Sequence, residues 1–169
     1  FLGEKDNLAS ENPSKYLLYQ DALLGIFDYH LQGKDAAGYY RRLAQELEGC
    51  VLEAGCYTRL FAYYHCLAQV LSEKADLGVK IKAAYDAHDL STLQSISEEK
   101  IPHIITQMWK LKDLREDLWM EDGKPFGYEL IDLRLGGVLT RLESCSRRLE
   151  KYMQGALPKL EELEGERLP

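Results

Sequence analysis

Apolar side chains recur every three to four residues along most of this chain, the spacing of helix faces rather than the alternation of strands. The first run, residues 14–31, carries two stripes: Tyr16, Leu17, Leu23, Leu24, Phe27 and Leu31 on one, and Tyr19, Ala22, Ile26 and Tyr29 on the other. Asn12 and Pro13 supply a cap and a first-turn proline, so the spacing predicts a single helix that is apolar nearly all round. Such a helix is either central in its domain or covered by another domain or subunit. Tyr19, Ile26 and Tyr29, on the second stripe, are the expected interface residues.

Gly33 breaks this pattern, and Asp35 opens a shorter helix over residues 36–48 with Tyr39, Leu43 and Leu47 inward and Gly49 at its end or at a kink. A third helix is expected over 51–76, where Cys56, Leu60, Tyr63, Leu67 and Val70 share a stripe, with a continuation or bend at Gly78 that ends near His88. Asp89 and Ser97 are both placed to cap. Ile101, Ile104, Met108, Leu111 and Leu118 then form an amphipathic stripe up to Trp119. Leu135, Val138, Leu139, Leu142, Cys145, Leu149, Tyr152 and Met153 form the cleanest one, with Arg141, Arg147, Arg148 and Lys151 outward and Gly155 as its stop. The expected fold is an all-α bundle of five or six helices with a long antiparallel pair, residues 98–121 and 133–154. Residues 1–155 form one domain, and the acidic tail 156–169, with Pro158 and Gly165, is expected to fray.

Composition narrows the functional classes. With 46% hydrophobic and 29% charged residues the chain is that of a globular protein with a real core. A net charge of −7 offers no basic footprint for nucleic acid and is repelled by an anionic membrane. Cys50, Cys56, Cys66 and Cys145 show no metal-ligand spacing and read as reduced, buried thiols, which points to the cytoplasm. His30, His65, His88 and His103 are scattered, so no metal or cofactor is expected. Glu116-Asp117 and Glu121-Asp122 read as solvated carboxylates, and no catalytic residue is assigned.

The segment between the two long helices is richer than a connector. Gly123, Pro125 and Gly127 give it a defined turn geometry, and Trp119, Glu121, Lys124, Phe126 and Tyr128 give it aromatic and charged side chains. Two readings stand. Either Trp119 and Phe126 plug the end of the bundle, or the loop is a contact surface on a rigid helical base. Asp132, Arg134, Gly136 and Gly137 extend this structured loop: Asp132 and Arg134 suit a local ion pair that pins it, while the two glycines admit a neighbouring backbone or a ligand.

Two blocks carry a resemblance: Asn12-Pro-Ser-Lys-Tyr-Leu-Leu-Tyr-Gln-Asp-Ala-Leu-Leu-Gly-Ile-Phe-Asp28, and Leu118-Trp-Met-Glu-Asp-Gly-Lys-Pro-Phe-Gly-Tyr-Glu129 with Asp132-Leu-Arg-Leu-Gly-Gly137. They resemble the C-terminal helical domain of bacterial β-N-acetylhexosaminidases of glycoside hydrolase family 20. The resemblance implies an enzyme that removes terminal β-linked N-acetylhexosamine, with the substrate's acetamido group as nucleophile and an adjacent Asp-Glu pair assisting. No Asp-Glu dipeptide occurs in this chain. The resemblance therefore implies a catalytic barrel N-terminal to Phe1 in the same polypeptide, consistent with the absent initiator Met. It further implies a non-catalytic domain that supports barrel and homodimer and places Trp119, Glu121, Lys124 and Phe126 beside the carbohydrate. Glu121-Asp122 departs from the family's Glu-Asn. The alternative class is a free-standing helical interaction module that binds a partner through its two-striped first helix.

Overall fold

The computed structural model describes residues 13–167, with side chains from Tyr16 onward; the Asn12 cap lies outside them. Helices α1 (Pro13–Tyr19), α2 (Asp28–Leu31), α3 (Ala36–Glu53), α4 (Thr58–Lys74), α5 (Leu77–Asp86), α6 (Leu90–Ser95), α7 (Ile101–Asp122), α8 (Tyr128–Met153) and α9 (Glu161–Glu164) follow in order, and the described residues contain no strand. A single π-helical turn, Ile96–Lys100, joins α6 to α7 without a break. α3 and α4 form one antiparallel hairpin, α7 and α8 the second, and α4 packs on α7 to fuse them. The core runs through Ile101, Ile104, Met108 and Leu111 of α7 and Leu135, Leu139, Leu142, Cys145 and Leu149 of α8, as their periodicity requires.

The expected single helix over residues 14–31 is instead two short helices around a turn, and polar groups cause the break. Asp21 accepts from the backbone N–H groups of Leu23 and Leu24, at 2.9 and 3.1 Å. Gln20 Oε1 accepts from Phe27 N at 2.9 Å while its Nε2 donates to Asp28 Oδ1 at 2.7 Å. Gly25 takes φ +53°, and a Cβ there would lie 2.2 Å from the Asp28 carboxylate. Lys74, 4% exposed, reaches in from α4 and donates to the carbonyls of Leu17 and Gln20 at 3.1 and 2.6 Å. Those are carbonyls that the end of α1 leaves without helical partners. The two apolar stripes therefore do not exist as faces of one helix. Tyr19 is half-buried on α1, Ile26 is 64% exposed in the turn, and Tyr29 lies on α2.

Further expectations change. α3 runs to Glu53, through Gly49, and breaks at Gly55, whose φ is +54°. Cys50 and Cys56 thus sit exposed around the α3–α4 turn, whereas Cys66 and Cys145 are buried as expected. Tyr40 is buried on α3 where Tyr39 was expected. Ser97 does not cap; it lies inside the continuous helix, with its Oγ 2.8 Å from Ser146 Oγ on α8, whereas Asp89 does cap, by accepting from Thr92 N. The tail does not fray between Leu160 and Arg167: Leu160 and Leu163 are fully buried, and Tyr85 hydrogen-bonds Glu164. Arg148 pairs with Glu162 at 2.7 Å, and Arg167 pairs with Asp28 while donating to the carbonyls of Leu23 and Leu24.

Burial raises the Asp28 carboxyl to about 6, although Arg167, Gln20 and Lys74 all favour its charge. Burial likewise lowers Lys74 to about 8, against Asp21 and Asp28. A carboxyl with a folded pKa above its unfolded value of about 4 contributes stability that is full below pH ~4 and lost as pH rises to ~6. Asp28→Asn removes that titration. Urea unfolding should show the difference in stability moving in the variant's favour by roughly 2–3 kcal/mol between pH 4 and 7. A difference that is constant, or moves the other way, contradicts the assignment. Thiol labelling tests the burial pattern: Cys50 and Cys56 should react with a maleimide in the folded protein. Cys66 and Cys145, whose burial lifts them to about 11 and about 12, should react only in denaturant.

Candidate functional site

The turn between α7 and α8 is held from inside by Trp119. Its indole N–H donates to Lys124 O at 2.7 Å, and its own carbonyl accepts from Gly123 N at 2.8 Å. A Cβ on Gly123 would stand 2.7 Å from that carbonyl, so only glycine lets the chain leave the helix this closely. Gly127 then enters α8 with φ +95°, and its N–H donates to Glu129 Oε2 at 2.7 Å. Tyr128 is buried behind the turn, with its ring 6.1 Å from the indole and its hydroxyl donating to Lys112 O at 3.2 Å.

Charged side chains brace the turn from the neighbouring helices. The Arg115 guanidinium lies 5.5 Å from the centre of the Trp119 ring and 5.8 Å from that of Tyr63. Arg59, at the start of α4, reaches Glu121 at 3.5 Å. Lys112 pairs with Asp132 at 3.0 Å, and that hydrogen bond raises the lysine pKa. Asp132 is therefore not the partner of Arg134. Nor do Asp132, Arg134, Gly136 and Gly137 belong to the loop, because α8 begins at Tyr128 and all four lie on it.

Of the four residues expected at the sugar, Glu121, Lys124 and Phe126 are exposed, Phe126 at 84%, and Trp119 is half-buried. The two readings of the loop thus divide between its rings: Trp119 is packed and bonded, while Phe126 plugs nothing. Arg115, Lys112 and Arg59 carry no role in the sequence reading, and Tyr63 enters it only as a stripe residue of the third helix. Only Arg115 left a signal, four residues before Trp119 on one helix face.

A second feature lies further along α8, apart from the turn. A cavity of about 420 Å³ opens between α1 and α8, bounded by Tyr16, Tyr19, Gln20 and Asp21 on one side and Arg134, Gly137, Val138 and Arg141 on the other. Arg141 pairs with Asp21 across it at 2.5 Å, which lowers the Asp21 pKa against the cost of its burial. Burial raises the Tyr19 phenol, opposed by the positive charges of Arg134 and Arg115.

Among the described residues no three His, Cys, Asp or Glu side chains gather to hold a metal, and no helix is long and apolar enough to cross a membrane. The class defined by these features is an all-helical domain that presents a braced aromatic loop. The sequence matches the Glycoside Hydrolase 20C C-terminal domain over residues 2–169, and the chain belongs to that family. It is a glycoside hydrolase domain, and the family's parent enzymes are of hexosaminidase type. No curated protein matches it.

Trp119→Phe keeps a ring against Tyr128 but removes the donor to Lys124 O. Loss of one hydrogen bond of about 1 kcal/mol should speed amide exchange across residues 123–127 roughly fivefold, with the global unfolding midpoint little changed. Unchanged exchange in this stretch would show that the indole does not hold the loop.

Proposed function

We propose that this chain is the non-catalytic accessory domain of an enzyme that removes terminal β-linked N-acetylhexosamine, and that its loop borders the sugar bound in the preceding catalytic barrel. The observation that carries this reading is Phe126, 84% exposed at the tip of a turn whose backbone is otherwise pinned. An aromatic ring held out on a stiff turn suits a partner surface better than a core. Beside it, Lys124 and Glu121 offer a donor and an acceptor, the groups that complement sugar hydroxyls while an aromatic face covers the pyranose C–H groups. Trp119 has its N–H engaged and acts as the support of this arrangement.

On this reading the bond-breaking groups come from elsewhere: the substrate's acetamido group attacks, and carboxylates of the barrel assist. The domain's part is to close and shape one side of the site. We also assign it a supporting role in a homodimer, through the exposed Ile26 and Tyr29.

Phe126→Ala in the full-length enzyme separates contact from scaffold, because so exposed a ring contributes little to the fold. We expect kcat/KM for an aryl N-acetyl-β-glucosaminide to fall by about tenfold, equivalent to 1.4 kcal/mol of lost transition-state binding, at an unchanged melting temperature. Glu121→Gln and Lys124→Ala should act in the same direction. Wild-type kcat/KM in all three variants would reduce the loop to scaffold.

A further inference from the structure

Gly136 and Gly137 stand side by side in the middle of α8, where each destabilises the helix by about 1 kcal/mol relative to alanine. A Cβ at either would meet nothing within 4 Å. Among the described residues no neighbour uses the space they leave. Gly137 instead lines the cavity between α1 and α8, with Tyr19, Ala22, Val138 and Leu142.

The charges around this cavity are unbalanced. Arg141, one turn after Gly137, is neutralised by Asp21. Arg134, one turn before it, is exposed and has no carboxylate within ion-pair distance among the described residues, since Asp132 is taken by Lys112. Arg115 also lacks a carboxylate partner among them, is held between the Tyr63 and Trp119 rings, and acts on the same Tyr19 phenol as Arg134. In a chain of net charge −7, positive charge left without a carboxylate among the described residues beside a cavity suits an acid from beyond them. Leu130 and Leu133, four residues before Arg134 and Gly137 on the same side of α8, are 60% and 72% exposed. That apolar rim favours a polypeptide over a free small acid, which would leave both leucines in water.

We propose that the α1–α8 groove seats an acid-bearing segment from the catalytic part of the same polypeptide, with a carboxylate on Arg134 and the segment's backbone passing over Gly136 and Gly137. The bare helix surface lets that backbone approach, Leu130 and Leu133 cover its flanks, and Arg134 fixes its register. This seat rests on the reading that a catalytic part precedes the domain.

The test places a photoreactive benzoylphenylalanine at Leu133 of the full-length enzyme and identifies the crosslinked peptide by mass spectrometry. The expected product joins this position to an Asp- or Glu-containing peptide of the catalytic part. Arg134→Glu should cut its yield at least fivefold, and replacing the identified acid by Arg in that background should restore it. Gly137→Leu, which fills the groove from an unobstructed helix position, should also cut the yield. Crosslinks to a second copy, recognised by mixing isotope-labelled and unlabelled enzyme, would overturn the proposal, as would crosslinks confined to this domain or none at all. Hydrolysis of an aryl N-acetyl-β-glucosaminide by the unmodified enzyme is measured alongside. An inactive enzyme that still gives the expected crosslink would refute the activity reading and leave the seat standing.

Discussion

The ammonium group of Lys74, buried between α4 and the N-terminal segment, fixes the path on which the rest of the molecule depends. Its bonds to the carbonyls of Leu17 and Gln20 end α1 at that point. Gln20 then turns to hold Phe27 N and Asp28, and Asp28 settles over Gly78, where a Cβ would stand 2.8 Å from its carboxylate. Arg167 closes the assembly from the far end of the chain, joining the tail to the first turn. Burial shifts both Asp28 and Lys74 towards neutrality, so desolvation outweighs the attraction each receives from its neighbours. The value of the network lies in selecting one backbone path. An unbroken helix over the same residues would leave Lys74 without its two carbonyls and Asp28 without Gln20.

That path has consequences for the surface. Because α1 stops early and the chain turns away, α1 and α8 meet only loosely, and the space between them is the cavity that Arg134 and Gly137 border. Some four helical turns along α4 from Lys74, Arg59 reaches Glu121 and ties the second hairpin's tip to the first. Below the turn the Lys112–Asp132 pair joins α7 to α8, and the exposed Arg59–Glu121 pair adds a weaker tie to α4. A loop mounted in this way loses little freedom when it meets a partner, which is what a preorganised contact surface requires.

Much of this architecture was legible in the sequence, because long helices declare themselves through spacing. The stripes from Ile101 to Leu111 and from Leu135 to Leu149 are buried as their periodicity required. The N-terminal segment failed the same test for a physical reason. Its apolar spacing fits a helix, but Gln20, Asp21 and Asp28 offer the backbone competing partners, and the cation that decides between them lies more than fifty residues away. Tertiary hydrogen bonds of this kind leave no local signal. The tail misled likewise, since Leu160 and Leu163 sit among acids whose partners, Tyr85 and Arg148, come from α5 and α8. At the site, the glycines and the rings of the loop could be read from composition. That Trp119 would be internal and Phe126 external could not, because it depends on one indole bond to Lys124 O. The Arg134-Leu-Gly-Gly stretch stood out in the sequence, but its placement on a helix face beside a cavity required the fold.

The central claim is that a domain without cleavage chemistry of its own lends a rigid aromatic turn to an active site formed elsewhere. A crystal structure of the full-length enzyme with N-acetylglucosamine bound tests it most directly. The account predicts the Phe126 ring in van der Waals contact with the sugar, within about 4 Å, Lys124 or Glu121 hydrogen-bonded to a hydroxyl, and the Trp119 bond to Lys124 O intact. A sugar bound with no atom of the 119–128 turn in contact, from either copy of the chain, would contradict it.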